Sequence, residues 1–334
     1  MKTELLKKVD KIVGTPLCAL LGIFDKLTRP FRGKIGFDEV ERILIIKTVA
    51  LGDLVVALPT VKAIRKTYPR AYIAMLVTPR VREIVEGNPH LDEIIYYDVL
   101  GKDRGIGGLF ALLRRLKARK FDMVVELEHY YRFTTLLSYL SGAPIRVGFD
   151  LPNQGRSWLF TIRVPYPYHK HEVETFLEAA KAVGADVKEI LPRLRRGELE
   201  EIPTSRGDRE FAGKFLREHG VTDRDLVIGI HPGTSEIAKA RRWMPERFAE
   251  VADRLVREYK AKVVFTGALA DVELVDSITS SMQTKPIVAA GKTTLKRFAE
   301  LTKGFALFIG VDTGSMHIAA AMGTRVIGLF GPNT

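Results

Sequence analysis

The sequence predicts an α/β protein made of two parallel-sheet domains, and three observations carry that expectation. Apolar runs of strand length alternate with helical patterns through both halves of the chain. An apolar strand, Ile43 to Ile46, leads through a short loop at Gly52 into a helical pattern from Asp53 to Tyr68, which is how nucleotide folds open. Near the other end, a strand over Ala306 to Val311 meets a tight Asp312-Thr313-Gly314 turn, a helix opening near Ser315 and a further strand, Arg325 to Phe330.

The elements follow in order. In residues 1–36, Leu5, Leu6, Val9, Ile12 and Val13 recur at helical spacing opposite Lys7, Lys8 and Lys11, and Pro16 introduces a second apolar run, Leu17 to Phe24. That run is far short of the roughly 20 residues a bilayer span needs. No small-x-small cleavage pattern follows it, and Asp25 and Lys26 come next, so a secretory signal is not expected. Two readings stand: an interfacial amphipathic membrane anchor, or a helix packed on the domain or on a second subunit. Strands are then expected at Ala71 to Pro79, Ile94 to Asp98, Phe121 to Glu128 and Ile145 to Asp150. After the loop Val164 to Glu172 and a helix to Val183, a charged, proline-containing stretch breaks the alternation, so a boundary is expected near 185 to 205. The expected division is 1–36, 37–190 and 191–334. In the last part, strands Leu226 to His231 and Lys262 to Thr266 end at Pro232-Gly233-Thr234-Ser235 and at Gly267. Parallel strands put their carboxyl ends on one edge, so both loops should share an edge with Asp312-Thr313-Gly314.

Composition bounds the function. A chain of 334 residues with 46% hydrophobic and 28% charged residues can bury two cores and is not a disordered chain. The single cysteine, Cys18, excludes a disulfide framework and a cysteine-rich metal site. The net charge of +12 points to an acidic partner, and half of it sits in residues 101–120, which carry seven Lys or Arg against Asp103 alone. Leu109, Phe110, Leu112, Leu113 and Leu116 give that helix an apolar stripe, so its basic side meets either solvent or anionic lipid. Nucleic acid is not an expected partner: there is no zinc spacing, RNP-like aromatic strand or helix-turn-helix context.

Two loops carry candidate chemistry. At Asp312-Thr313-Gly314 a helix start offers unpartnered amides and the positive end of its dipole, Gly314 allows close approach of an anion, and Thr313 and His317 add donors. The alternative is a plain capping turn. No G-x-G-x-x-G follows the first strand, which removes most support for a nicotinamide or flavin dehydrogenase. Asp53 is either the N-cap of the helix after that strand or a carboxylate held where open α/β sheets bind ligands.

The segments "IKTVALGD…LP", "HPGTS…RRWMPERF", "TGALAD" and "DTGSMHIAAAMGT…GLFGP", in order from about Arg42 to Thr334, resemble the heptosyltransferases of the lipopolysaccharide inner core, glycosyltransferase family nine. The resemblance implies a GT-B fold: two Rossmann-like domains facing across a cleft, acceptor on the first and nucleotide sugar on the second. It implies an inverting, metal-independent transfer of heptose from ADP-heptose to an anionic lipopolysaccharide inner-core acceptor. The enzyme would work without a cofactor, as a peripheral protein on the cytoplasmic face of the inner membrane. By the same resemblance Asp53 is the catalytic base. Thr234, Ser235, Arg241, Gly267, Asp312, Thr313, Gly314 and His317 bind the donor, and Lys47 and Arg132 the acceptor. Lys47 would also help keep Asp53 ionised, and Trp243 packs the loop. Three departures stand out: Val56 where some relatives have His, Glu126 and Glu128 in "ELEHYYR" in place of an acid-x-Gln pattern, and an end at "GPNT", ahead of the segment that commonly crosses back to the first domain. The alternatives are the same reaction with another nucleotide sugar, or an inactive membrane-surface protein that binds nucleotide. Retention of Asp53, Asp312 and His317 argues against the latter.

Overall fold

Ile43, Leu44, Ile45 and Ile46 are all fully buried, as a strand covered on both faces requires, and they form most of β1 (Arg42–Ile46) at the middle of the first sheet. A computed structural model describes residues 2–28, 35–152 and 154–331, with backbone alone for 2–7, 236 and 237. The chain divides into two units, one of Met1–Ala50, Ala57–Arg82 and Asn88–Pro192, the other of Leu51–Val56, Glu83–Gly87 and Arg193–Thr334.

In the first unit β1 is joined by β2 (Tyr72–Val77), β3 (Glu93–Tyr96), β4 (Met123–Glu126), β5 (Ile145–Asp150) and β6 (Ile162–Pro165), all parallel, in the order β3-β2-β1-β4-β5-β6. The order runs outward from β1 in both directions, so the β1 and β4 carboxyl ends flank a topological switch point. The helices of this part of the chain are α1 (Lys2–Thr28), α2 (Leu51–Thr67), α3 (Arg82–Val85), α4 (Gly105–Ala118), α5 (Arg132–Leu140) and α6 (Glu172–Lys181), of which residues 51–56 of α2 and 83–85 of α3 group with the second unit. Leu112 and Leu116 of α4 and Leu137 of α5 pack on Leu44, Ile46, Ala74, Leu76 and Val124, so both helices cover the same sheet face.

Helix α1 departs from the expectation in one respect and agrees with one of its two readings in another. Pro16 does not divide it; one helix runs through, with Pro16 on the exposed side, where water can satisfy the carbonyl that loses its partner. It also packs against α5 and the 3-10 turn Arg156–Leu159. A Cβ on Gly14 would lie 2.8 Å from Cβ of Arg132, and one on Gly22 would lie 2.6 Å from Cβ of Trp158, so glycine is required for this close approach. Buried Cys18 lies between them on the same face. The side chains of Leu5, Leu6 and Lys7, part of the expected amphipathic pattern, lie outside the described residues.

In the second unit β7 (Val227–His231), β8 (Lys262–Phe265), β9 (Ile287–Val288), β10 (Leu307–Val311) and β11 (Val326–Leu329) form a parallel sheet in the order β11-β10-β7-β8-β9. After α7 (Ile190–Arg195), the helices are α8 (Arg206–Glu218), α9 (Pro245–Tyr259), α10 (Val272–Ser280), α11 (Leu295–Lys303) and α12 (Gly314–Ala321). Ile230, Phe265 and Val311 lie in one core with Phe248 and Ala252 of α9 and Val275 and Ile278 of α10. The switch point of this sheet lies between β7 and β10, and it positions the site described next.

Candidate functional site

At the β10 carboxyl end the chain turns through Asp312 into α12, with Thr313 as N-cap in an extended conformation. The Thr313 side chain does not cap the helix. Its hydroxyl donates to the Val311 carbonyl at 3.3 Å and pairs with the Ser315 hydroxyl at 2.6 Å. No side-chain cap closes the first turn, so its amides and the positive end of the helix dipole are suited to an anion, while Gly314 packs closely on Leu51, which fills the place a Cβ would take. His317 stands one turn into the same helix.

The β7 end contributes His231, then Pro232, Gly233, Thr234 and Ser235. Arg242 donates from Nε to the Thr234 hydroxyl at 3.0 Å and from Nη2 to the Thr234 carbonyl at 3.1 Å, and its guanidinium lies 3.9 Å from the Asp271 carboxylate. Asp271 accepts from the Ala268 amide at 2.9 Å. A Cβ on Gly233 would overlap that carboxylate, and one on Gly267 would lie 2.9 Å from Cβ of Asp271. Asp271 therefore ties the loop after β7 to the loop after β8, and only glycine fits on either side of it. The Thr266 hydroxyl lies 3.2 Å from the Ile230 carbonyl and 3.0 Å from His231 Nδ1, which holds the ring by that nitrogen. Burial pushes this imidazole down to about 4 despite the opposing pull of Asp271, so it is neutral at ordinary pH.

Arg241, the expected diphosphate contact, pairs with Asp312 at 3.0 Å. Both remain partly exposed, so the guanidinium keeps donor positions beyond the one that Asp312 takes. The ion pair brings together two expected donor residues, and Ser235 is exposed close by in sequence at the start of the 3-10 stretch Glu236–Arg241. Trp243 packs edge-on against Phe248 at 5.2 Å, a structural role.

Three further expected residues follow the β1 and β4 strands, with Asp53 in the stretch Leu51–Val56 that groups with the second unit. Asp53 is not an N-cap: α2 starts at Leu51, Asp53 lies in its first turn, and Ala50 is the N-cap, with φ of 65°. A non-glycine residue in that region costs of order 1–3 kcal/mol, a strain held at the turn that presents Asp53. Lys47, expected as an acceptor contact, is fully buried at the end of β1 with its Nζ 3.3 Å from Glu128. The same carboxylate accepts from the Thr48 hydroxyl at 3.3 Å and the Val49 amide at 3.4 Å. Lys47 and Glu128, 81 positions apart in sequence, meet at the switch point. Arg132, the other expected acceptor contact, opens α5 with its guanidinium 3.6 Å from Asp10 of α1, whose carboxylate also accepts from the Arg132 amide at 3.0 Å and the Phe133 amide at 2.8 Å. Beneath it Glu126 accepts from Arg156 at 2.6 Å, Thr134 at 2.5 Å and Thr135 at 3.1 Å. Burial pushes the Glu126 carboxyl up to about 7, against the pull of Arg156.

The second unit gathers hydrogen-bond donors and an uncapped helix start suited to an anion, and a sequence model of glycosyltransferase family 9 (heptosyltransferase) matches residues 109–334. The chain belongs to glycosyltransferase family 9. This family 9 chain is 29% identical over 299 residues to the lipopolysaccharide core heptosyltransferase OpsX of Haemophilus influenzae, covering 88% of this chain and 80% of that protein. It is also 29% identical over 293 residues to lipopolysaccharide heptosyltransferase 3 of Escherichia coli K12, covering 84% of this chain and 79% of that protein. The crystal structure of a glycosyl transferase family 9 protein from Veillonella parvula aligns at a TM-score of 0.76 and 30% identity over 88% of this chain and 81% of that one. The family 9 chain is thus a glycosyltransferase, and its two parallel sheets are those of the GT-B fold. Sequence reading missed Arg242 and Asp271 in this member. The adjacent Arg241-Arg242 pair and the Asp of "TGALAD" were visible, but the division of labour between the arginines was not.

Proposed function

We propose that the protein transfers a heptose, with inversion and without a metal, from ADP-heptose to the inner core of a lipopolysaccharide acceptor. In this reading Asp53 takes the proton of the attacking acceptor hydroxyl as the new glycosidic bond forms and the bond to the diphosphate breaks. Negative charge then grows on the departing ADP. The first-turn amides of α12, His317 and Arg241 are the groups that would receive it, with Thr234 and Ser235 as hydroxyl donors and Gly267 giving close approach. Asp312 would orient Arg241 and take part in donor binding. On the acceptor side Lys47 and Arg132 act through the networks that hold them with Glu128 and Asp10. The observation that carries the reading is the uncapped start of α12 beside the Arg241–Asp312 pair, in a chain of this family. An acceptor that is an anionic glycolipid also implies work at a membrane surface, which we take to be the cytoplasmic face of the inner membrane. Among the described residues no helix is long and apolar enough to cross a membrane, so attachment would be peripheral.

Incubation with a panel of nucleotide sugars and deacylated core acceptor tests this. ADP release and a heptosylated acceptor, seen only with ADP-heptose, are expected. Turnover confined to another nucleotide sugar would reassign the donor, and nucleotide binding without turnover would leave a binding protein.

A further inference from the structure

Helix α1 has two opposite faces, and the fold uses one of them. Its inward face is small and acidic: Gly14, Cys18 and Gly22 lie against α5 and the Arg156–Leu159 turn. Asp10 caps α5, and Asp25 pairs with Arg146 at 2.8 Å with both side chains buried. Its outward face carries Val9, Ile12, Val13, Leu20, Ile23, Phe24 and Leu27 at helical spacing; Ile12 is 72% exposed, Leu20 65% and Leu27 67%. A surface helix ordinarily buries its apolar side and exposes its charged one. Here the acids among the described side chains are turned in and the apolar stripe out.

The charges identify what the stripe meets. Among the described side chains of α1, both acids face the protein, while Lys8, Lys11 and Lys26 are all exposed. Lys26 sits 5.4 Å over the ring of Trp158, itself 39% exposed beside the stripe, a combination suited to the polar boundary of a bilayer. Helix α5 contacts both α1 and α4, so the three lie side by side. From α4, Ile106 and Phe110 add exposed apolar side chains, with Arg114 and Lys117 exposed on the next turns. A second copy docked on the stripe by a two-fold axis would bring lysines toward lysines with no exposed acid of α1 among the described side chains to meet them. An anionic lipid surface complements both parts.

We propose that α1 is a docking helix lying in the plane of an anionic bilayer, its apolar stripe in the headgroup and acyl boundary and its lysines on acidic headgroups, with α4 as a second point of contact. The proposal rests on the membrane-surface reading given above and adds to it a surface and an orientation. Because Asp10 holds the first amides of α5, docking would fix Arg132 and its surroundings relative to the lipid.

The test is co-sedimentation of the full chain with phosphatidylcholine vesicles, with and without phosphatidylglycerol. It compares wild type, an Ile12→Ser/Leu20→Ser/Ile23→Ser/Phe24→Ser variant and a Lys8→Gln/Lys11→Gln/Lys26→Gln variant. All the substituted side chains are exposed, and circular dichroism checks folding. The serine variant should lose partition onto anionic vesicles by at least about tenfold. The glutamine variant should lose about fivefold per lysine on anionic vesicles only, with a weaker salt dependence. Both should keep wild-type turnover on the deacylated, water-soluble acceptor. Unchanged partition in the serine variant overturns the proposal. So does a lipid-free wild-type dimer that the serine variant dissociates, which would make the stripe a contact between copies. If vesicle binding behaves as stated but no nucleotide sugar is turned over, the docking helix stands and the transfer reaction falls; turnover with wild-type vesicle binding in every variant is the reverse.

Discussion

Asp25→Asn tests whether α1 is an integral part of the first unit. The Asp25 carboxylate lies 2.8 Å from Arg146 Nη2, with the two side chains 0% and 2% exposed. Removing one member of such a pair strands the other charge in a low-dielectric interior, at a typical cost of about 3–5 kcal/mol. Two features reduce it here: Arg146 also donates to the Leu159 and Ala143 carbonyls, each at 2.8 Å, and the asparagine oxygen can still accept from Nη2. A loss of about 2–3 kcal/mol remains, which for a unit of this size lowers the melting midpoint by about 5–10 °C. Trp158 provides the local reporter because it packs on Gly22 of the same helix, whereas Trp243 lies in the other unit against Phe248. In a Trp243→Phe background, Asp25→Asn should red-shift the Trp158 emission transition to a lower temperature or urea concentration. An unchanged midpoint and spectrum would refute the claim that this pair clips α1 to the fold.

Further expectations follow from the same geometry. Arg242→Ala removes two charge-assisted hydrogen bonds to Thr234, so donor KM should rise about tenfold, the low end for such bonds because the side chain is partly exposed; steady-state kinetics with unchanged KM would exclude Arg242 as a positioning residue. Burial pushes the Cys18 thiol up to about 12, so native protein at pH 8 should leave it unreacted with a disulfide reagent while urea exposes one thiol; rapid native labelling would mean that α1 detaches readily. For Glu126, burial raises the carboxyl from 4.5 to about 7, so the folded chain keeps a proton that the unfolded chain has released between those values. Its stabilising contribution is complete below about pH 4.5 and is lost as pH rises to about 7, so denaturation of Glu126→Gln should show a stability advantage over wild type that grows across this window, to at most about 3 kcal/mol. A difference independent of pH would show that Glu126 is ionised throughout.

What the sequence made legible was local. The β1 run, the turn into α2 and the Asp312-Thr313-Gly314 turn into α12 are readable because apolar periodicity and turn chemistry act over a few residues. Pro16 misled because an exposed proline is tolerated once a helix is held by packing on one side. The edge strands β6 and β9 carry little apolar pattern to be read, because β6 buries only one of its four residues and ends at Pro165, and β9 has only two residues. The partners of charged side chains lie beyond local reading altogether. Asp25 and Arg146 are 121 residues apart and Lys47 and Glu128 81, and only the folded sheet brings each pair together. The same holds for the arginine pair, where the packing of one loop against Asp271 assigns Arg242 to the scaffold and leaves Arg241 beside Asp312. Local composition offers no means of telling these adjacent residues apart.

The most direct test of the account is turnover of Asp53→Asn beside wild type, with ADP-heptose and deacylated core acceptor, together with calorimetric ADP affinity for both proteins. The account predicts an ADP Kd within about twofold of wild type and a kcat lower by about a hundredfold or more, the usual loss when a general base is removed. A folded Asp53→Asn protein with wild-type kcat would contradict it.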